Sequence, residues 1–342
     1  INVNFKKIHK IILVVLLTVS FILASGIYFT FFRPNVKGEM TYLYVPHNSE
    51  YKQVIDSLEK SGCIKSIMSF KIAAKIEHLD KKISPGRYKI EKGMNNLYII
   101  RAIANGWQTP VRLTISGNIR NLEKLASIIS KKIESDSSEI ISVLRDTCLI
   151  DSLGFDPTTF PTMFLPDTYE VFWTVSPKEL LFKLKREYDK FWNEERVAKA
   201  SKIGLTPVEV SILASIVSEE SNIKDEQPVI AGVYLNRLKR GMKLQADPTI
   251  KFILNDPSIK RILNKHLTID SPYNTYIHKG LPPGPIVIPQ KSTIDAVLNY
   301  KQHDYFYFCA APTLNGSHNF ARNITEHNKN ARAYQRAISR KN

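Results

Sequence analysis

The sequence predicts an α+β protein with a transmembrane helix near its N-terminal end, a small βααβ module and a larger mixed α+β domain. An uncharged apolar run covers residues 11–32, and short alternating segments such as Thr41 to Val45 predict strands. A capped apolar helix is indicated after Thr206. With 342 residues, of which 43% are hydrophobic and 23% charged, the chain can bury a substantial core in two or three domains.

The first forty residues contain the strongest compositional signal. As a helix, residues 11–32 would reach roughly 33 Å, enough for the hydrocarbon core of a bilayer. A cleavable signal peptide is the competing interpretation. The apolar run continues past residues 24–26, so we favour an uncleaved anchor. Lysines at positions 6, 7 and 10 precede the run, and the positive-inside rule therefore places residues 1–10 in the cytoplasm and the rest of the chain outside.

The net charge limits the expected binding partners, and the cysteines limit the expected cross-links and metal sites. A net charge of +16 without long basic runs suits anionic lipid, an anionic wall polymer or nucleic acid. The sequence has no zinc-finger spacing, RNP-like aromatic motif or basic helical region, so we expect no nucleic-acid binding. Cys63, Cys148 and Cys309 are odd in number and far apart, which predicts neither a disulfide framework nor a metal cluster.

Residues 40–109 are predicted to form the small module. The strand from Thr41 is followed by two short helices, at residues 49–60 and 66–76, and by a strand at residues 87–90. This βααβ order resembles LysM-type modules, which bind cell-wall glycans, although a generic α+β module fits the pattern as well.

Two further stretches complete the predicted organisation. Residues 110–160 form a connecting α/β segment, and within it residues 134–162, rich in Ser, Asp and Thr, are expected to be a hinge. The larger domain then covers residues 161–342. Its other predicted elements are a helix capped by Ser176, a helix from Pro228 to Arg240, a turn at Asp247-Pro248, an extended proline-rich segment from Gly280 to Pro285, a helix from Ser292, strands at 305–308 and 318–320, and a helix from Thr325.

Two adjacent carboxylates end the helix that Thr206 caps. Apolar stripes at helical spacing lead to Glu219 and Glu220. Neighbouring residues on a helix are about 100° apart, so both cannot point into one narrow site, and periodicity does not choose between them. At the rim of an apolar surface, desolvation raises the pKa of a carboxyl and makes it a proton donor near neutrality. Two solvated glutamates at a helix end are the simpler interpretation of the spacing alone.

An ordered set of motifs resembles the MltG or YceG-like endolytic murein transglycosylases, bacterial inner-membrane enzymes that cut peptidoglycan. The motifs span roughly residues 160 to 330, which makes their combination far more specific than any one of them. They are Leu165 to Thr168, Leu213 to Glu220, Val233 to Leu238, Met242 to Thr249, Tyr273 to Tyr276, Gly280 to Pro285, His318, and Glu326 to Asn328.

The resemblance assigns the catalytic acid. The family helix commonly has two glutamates separated by one residue, of which the second is catalytic. In this chain the second corresponds to Glu220, whereas the first is replaced by Ser218. Any tuning of the acid by a glutamate at position 218 is therefore in doubt, and Glu219 falls at a variable position where we expect a solvated side chain.

The resemblance also implies a mechanism that needs one carboxylate and neither a metal nor another cofactor. In a lytic transglycosylase the 6-hydroxyl of N-acetylmuramic acid (MurNAc) attacks its own anomeric carbon. Glu220 would protonate the oxygen between MurNAc and N-acetylglucosamine (GlcNAc) and then accept the hydroxyl proton. The residues expected to bind and distort the sugar, or to orient Glu220, are Asn236, Gln245, Asp247, Tyr273, Asn274 and Thr275. Asp247 could instead cap its own turn.

The implied partners are peptidoglycan glycan strands, membrane lipid around residues 11–32 and neighbouring penicillin-binding proteins. One alternative is a non-catalytic, membrane-tethered wall-binding or scaffold protein. Another is a hydrolase that uses Glu220 together with Asp247. A metal enzyme is less favoured because the histidines form no ligand motif, and we expect His318 and His327 to be hydrogen-bonded structural residues.

Overall fold

The computed structural model describes residues 5–256, 258–259 and 261–341, which form two compact units. Unit 1 comprises residues up to 112, 132–134 and 170–175, and unit 2 comprises residues 113–131, 135–169 and 176 onwards. The first four residues of the expected cytoplasmic segment lie outside the described residues. Strands β3 (Val111–Ile115) and β4 (Asp167–Val171) form a two-stranded sheet.

The predicted N-terminal helix is present and exposed. Helix α1 covers Phe5–Ile27 and continues as one π-helical segment, Tyr28–Phe32. Between Lys6 and Phe32 it is long and apolar enough to cross a membrane, and none of its most apolar part is buried inside the protein. Such an apolar surface requires an apolar environment from outside the chain, which is consistent with a single membrane anchor.

Unit 1 confirms the βααβ order. Strands β1 (Thr41–Val45) and β2 (Gly86–Ile90) enclose helices α2 (Tyr51–Ser61) and α3 (Ile67–Ile76) in sequence and pair antiparallel. Helix α4, Asn96–Ala104, follows. The buried core of these elements contains Phe70, Tyr88 and Ile100. Alternating burial along β2 is the expected pattern for a strand with one face on a core.

Unit 2 is mainly helical. Its elements after β3 are α5 (Leu122–Ser130), α6 (Ser137–Leu144), α7 (Thr147–Ser152), β4, α8 (Pro177–Phe191), α9 (Glu194–Lys202), α10 (Pro207–Glu220), α11 (Gln227–Lys239), α12 (Asp247–Leu254), α13 (Lys291–Leu298), β5 (Tyr307–Ala310), β6 (His318–Ala321) and α14 (Ile324–Lys341). Strands β5 and β6 form an antiparallel hairpin in which Ala310 is opposite His318.

Residues 134–162, which were expected to be a hinge, contain two short helices. Asp136 and Asp146 are the N-caps of α6 and α7, and each side chain accepts two backbone N–H groups. The Ser and Asp content that suggested a loop is therefore capping chemistry at two short helices. Ile140 and Leu149 are among the residues that these helices bury.

Helix α10 is buried on every side rather than along the two predicted stripes. Its start is as predicted, with a capping box between Thr206 and Glu209 and a proline in the first turn. All residues from Val210 to Val217 are buried, including two serines. Ser215 donates its hydroxyl to the Ile212 carbonyl and accepts the backbone N–H of Ile286, which connects the helix to the segment after the prolines. The C-terminal end of α10 consequently has a fixed position in the core.

Two loop predictions require correction. Asp247 does not form a turn with Pro248, because it is the first residue of α12, where a first-turn proline costs no hydrogen bond. The strand expected at 305–308 begins at Tyr307. Side chains of α11 bind the carbonyl groups of Tyr305 and Phe306, so these two residues connect to the helix before the hairpin starts.

Gly232 allows α11 to approach the chain before β5. A Cβ atom at this position would lie 2.5 Å from the Lys301 carbonyl oxygen and 2.6 Å from Nε2 of His303. We expect Gly232→Ala to lower the free energy of unfolding by about 1 kcal/mol. Overpacking costs about 1–3 kcal/mol, whereas the helical preference of alanine returns at most about 1 kcal/mol.

The measurement is thermal or urea unfolding of the detergent-solubilised chain. The control is Ser201→Ala at an exposed position of α9, which should change stability by no more than about 0.5 kcal/mol. Equal or greater stability of Gly232→Ala would contradict the close packing of α11.

Candidate active site

Glu220 is the last residue of α10, and its carboxyl group receives a hydrogen bond from the neighbouring helix. The Tyr234 hydroxyl donates to Oε1 of Glu220 over 2.5 Å. Tyr234 lies on α11 and is fully buried, so its ring has little freedom to move away. Its ring also packs edge-on against Phe308 of β5, with centroids 5.9 Å apart. The acid is thus held between two helices and the hairpin.

The environment raises the pKa of Glu220 to about 7. Burial is the largest cause, because it disfavours the charged form, and the negative charge of Asp247 acts in the same direction. The Tyr234 hydrogen bond and the positive charges of Lys251 and Arg237 oppose the rise. At neutral pH a comparable share of molecules carries the proton and lacks it, which suits a group that donates a proton and regains it.

A cavity of about 440 Å³ opens beside this carboxyl group. Most of its polar lining comes from tyrosines, histidines and charged side chains. The lining is contributed by the end of α10, by α11, by the segment that leads into α12, by the loop that contains Tyr276, by the β5–β6 hairpin and by the beginning of α14. The lining residues are Glu220, Tyr234, Arg237, Leu244, Gln245, Asp247, Tyr276, Tyr307, Phe308, Cys309, Ala310, His318, Ile324 and His327.

Asp247 forms a second tyrosine–carboxylate pair on the same cavity. The Tyr276 hydroxyl donates to Oδ1 of Asp247 over 2.5 Å. Burial, followed by this hydrogen bond to a carboxylate, raises the pKa of Tyr276 far above its usual value, so it remains a donor. The hydrogen bond holds Asp247 in a position from which its negative charge raises the pKa of Glu220.

Arg237 brings a positive charge to the cavity and also holds its walls. Only 7% of the residue is exposed. Its Nε donates to the Phe306 carbonyl over 2.7 Å, and its Nη1 donates to the Leu244 carbonyl over 2.6 Å. The guanidinium group thereby connects the chain before β5 to the segment that precedes α12.

Glu219 does not belong to the cavity lining, and the expectation that it is solvated is wrong. Its side chain is 17% exposed and forms an ion pair with Arg120. Asn118 donates a second hydrogen bond to Glu219 over 2.8 Å. The two adjacent carboxylates therefore have different surroundings, and only Glu220 faces the cavity.

The six residues expected to bind substrate fall into two groups. Gln245 and Asp247 line the cavity. Asn236 instead donates to the carbonyl groups of His303 and Tyr305, and Asn274 donates to those of Leu267 and Ile269.

Thr275 and Tyr273 complete the second group. Thr275 is buried and accepts the Ala246 N–H over 2.9 Å, next to Gln245, whose φ is +50°. Tyr273 packs against Phe252 with ring centroids 4.8 Å apart. These contacts support the loop that holds Gln245 and Asp247, and a direct role in binding remains a prediction for all six.

His318 is hydrogen-bonded, as expected, but it also lines the cavity, and so does His327. Both oxygens of Glu226 bind His318, one at its backbone N–H and one at Nδ1. In the described part of the chain, Nδ1 of His327 is buried without a hydrogen-bond partner. The prediction of a hydrogen-bonded His327 is therefore wrong for this nitrogen.

Sequence reasoning did not select Tyr234, Tyr276 or Arg237 as site residues. Tyr234 and Arg237 are three residues apart on α11, a spacing that places them on one face of a helix, and this was the available signal. Among the described residues, no group of three or more His, Cys, Asp or Glu side chains is arranged to hold a metal ion.

Comparisons with known proteins give consistent results. The model of the YceG-like family matches residues 43–333. The endolytic murein transglycosylase of Bacillus subtilis strain 168 is 29% identical over 313 residues, which cover 87% of this chain and 85% of that protein. The endolytic murein transglycosylase of Streptococcus pneumoniae strain D39 is 25% identical over 316 residues, which cover 84% of this chain but only 57% of that longer protein.

A solved structure agrees with these sequence matches. The crystal structure of a YceG-like protein from Listeria monocytogenes superposes with a TM-score of 0.57 at 25% identity, covering 85% of this chain and 98% of that one. Since the family model extends over most of the sequence, the chain belongs to the YceG-like family.

Proposed function

We propose that the protein is a membrane-anchored lytic transglycosylase that cleaves the β-1,4 bond between MurNAc and GlcNAc in peptidoglycan. The observation that carries the proposal is the carboxyl group of Glu220, which lies beside a polar cavity and has its pKa raised to about 7. The two relatives named endolytic murein transglycosylase support the same class of reaction.

In this mechanism the protonated Glu220 donates its proton to the glycosidic oxygen as the bond to the anomeric carbon breaks. The 6-hydroxyl of the same MurNAc attacks that carbon and closes a 1,6-anhydro ring, so no water is consumed. A group in the cavity must accept the hydroxyl proton, and the Glu220 carboxylate is one such group. Arg237 and Asp247 adjust the proton affinity of the acid in opposite directions.

The N-terminal elements fit a location at the cell wall. Helix α1 would anchor the chain in the inner membrane, with its lysines on the cytoplasmic side and the cavity outside. The small module would bind wall glycan in the manner of LysM modules. Its Tyr98 and Trp107 support this proposal, because these rings are 48% and 50% exposed and lie 5.9 Å apart, where sugar rings can stack. Penicillin-binding proteins would be neighbours in the same membrane.

A hydrolase is the second candidate because Asp247 shares the cavity with Glu220. Two carboxylates are the usual requirement for glycoside hydrolysis. The products separate the two reactions: hydrolysis leaves reducing ends, whereas a lytic transglycosylase leaves 1,6-anhydroMurNAc ends. Mass spectrometry of fragments released from intact sacculi would therefore identify the reaction.

Removing the acid should abolish cleavage. We expect Glu220→Gln to lower the release of anhydro-ended fragments from sacculi roughly 10²- to 10⁴-fold, because general acid catalysis is lost while the side-chain volume is kept. Glu219→Gln is the matched control, since the neighbouring residue points away from the cavity. Equal release by wild type and Glu220→Gln would contradict the assignment of Glu220 as the acid, and no release by either would favour the tethered wall-binding protein.

Removing the negative charge of Asp247 should shift the pH dependence of cleavage. Asp247 raises the pKa of Glu220, so Asp247→Asn should lower that pKa. The acid must be protonated to react, and activity falls as pH rises through its pKa. The alkaline loss of activity should therefore occur at lower pH in Asp247→Asn than in wild type.

The readout is the initial rate of cleavage between about pH 5 and about pH 9, a range that brackets the expected pKa of Glu220. Asp151→Asn removes the same charge at an exposed position outside the cavity lining and should leave the profile unchanged. A shift of the Asp247→Asn profile to higher pH would contradict the electrostatic role. Complete loss of activity at every pH would favour the hydrolase.

A further inference from the structure

The pair formed by His318 and Glu226 has the arrangement of a proton-accepting dyad. Oε1 of Glu226 accepts the backbone N–H of His318 over 2.9 Å, and Oε2 lies 2.8 Å from its Nδ1. The two side chains are only 13% and 14% exposed. A carboxylate can only accept hydrogen bonds, so Nδ1 must be the protonated nitrogen, and in the neutral ring Nε2 is then an acceptor.

The Nε2 atom of His318 is free to meet a ligand. No hydrogen bond from it to the described residues exists, and it is not among the described buried nitrogen atoms that lack a partner. His318 lines the cavity and its Nδ1 is bound to Glu226, which leaves Nε2 as the ring nitrogen available to a ligand there. The ring itself is held edge-on against Phe308, with centroids 5.5 Å apart at 85°.

The dyad is connected to the acid on two sides. Phe308 contacts both the His318 ring and Tyr234, the residue that binds Glu220. Ser221, which directly follows Glu220, donates its hydroxyl to Oε2 of Glu226 over 3.3 Å. A fixed imidazole and a fixed carboxyl group thus line the same cavity.

We propose that Nε2 of His318 accepts the proton of the attacking 6-hydroxyl, and that Glu226 fixes the tautomer that makes this possible. This inference rests on the proposed function. The O6–C1 bond forms as the C1–O4 bond breaks, the Glu220 proton moves to O4, and the O6 proton moves to Nε2. The imidazolium then loses its proton to water and the Glu220 carboxylate takes one from water, which restores the starting state.

Glu226→Gln tests the tautomer while keeping the length of the side chain and an oxygen for the His318 backbone N–H, although the Ser221 hydroxyl loses its acceptor. The amide oxygen of glutamine can still accept the His318 backbone N–H, but its NH₂ group would face Nδ1 as a donor. The ring should respond by carrying its proton on Nε2, which then can no longer accept. The ¹⁵N NMR spectrum of the full chain, labelled at histidine and kept in detergent, reports this change directly. Nδ1 should take the chemical shift of an unprotonated nitrogen and Nε2 that of a protonated one.

We expect kcat for release of anhydro-ended fragments to fall roughly 10²-fold in both Glu226→Gln and His318→Gln, with little change in KM, since a base and not a binding contact is lost. His278→Gln, at an exposed position outside the cavity lining, is the matched control and should behave as wild type. The expected result is a tautomer change together with the loss of kcat.

Two outcomes would overturn the inference. If kcat stays within about twofold of wild type in both variants, the Glu220 carboxylate accepts the proton. If kcat falls in Glu226→Gln while the ¹⁵N spectrum keeps its tautomer, Glu226 acts on structure alone. Failure of the proposed function is distinguishable from both, because wild type would then release no anhydro-ended fragments whatever the variants do.

Discussion

The burial of one carboxyl group at the end of a fully buried helix is the constraint on which the site depends. Helix α10 has no solvent face between Val210 and Val217, and this packing fixes the helix end that carries Glu220 beside the cavity. Tyr234 then accounts for the hydrogen bond that a buried carboxyl group requires. The raised pKa is a result of this packing, and the remaining polar groups of the cavity modify it.

The cavity walls combine support with chemistry. Arg237 binds two carbonyl groups from different segments and also lowers the proton affinity of Glu220. Asn236 also binds backbone carbonyls, where the chain approaches the hairpin, and Asn274 binds those of Leu267 and Ile269. Motif residues that bind backbone groups help to place Gln245 and Asp247 on the cavity. A residue that is not itself exposed to the cavity can therefore belong to a functional motif.

Much of this architecture was predictable from local physical rules. The capping boxes, the βααβ order and the apolar N-terminal helix follow from residue chemistry within a few positions. Which of Glu219 and Glu220 lines the cavity did not follow from such rules, because helical periodicity treats both residues alike. In the sequence it required family resemblance, and in the structure it follows from the Arg120 side chain, almost a hundred residues earlier in the chain. The tyrosine partners and the Glu226–His318 pair also depend on contacts between distant segments.

The raised pKa of Glu220 also has a consequence for folding. An unfolded chain would hold this carboxyl at its ordinary pKa of 4.5, whereas the folded chain holds it at about 7. Between these values the native state retains a proton that the denatured state releases, so proton linkage makes the fold progressively less stable as the solution becomes more alkaline across that interval. The burial that raises the pKa of Glu220 therefore also makes the native state less stable at and above neutral pH than in mild acid.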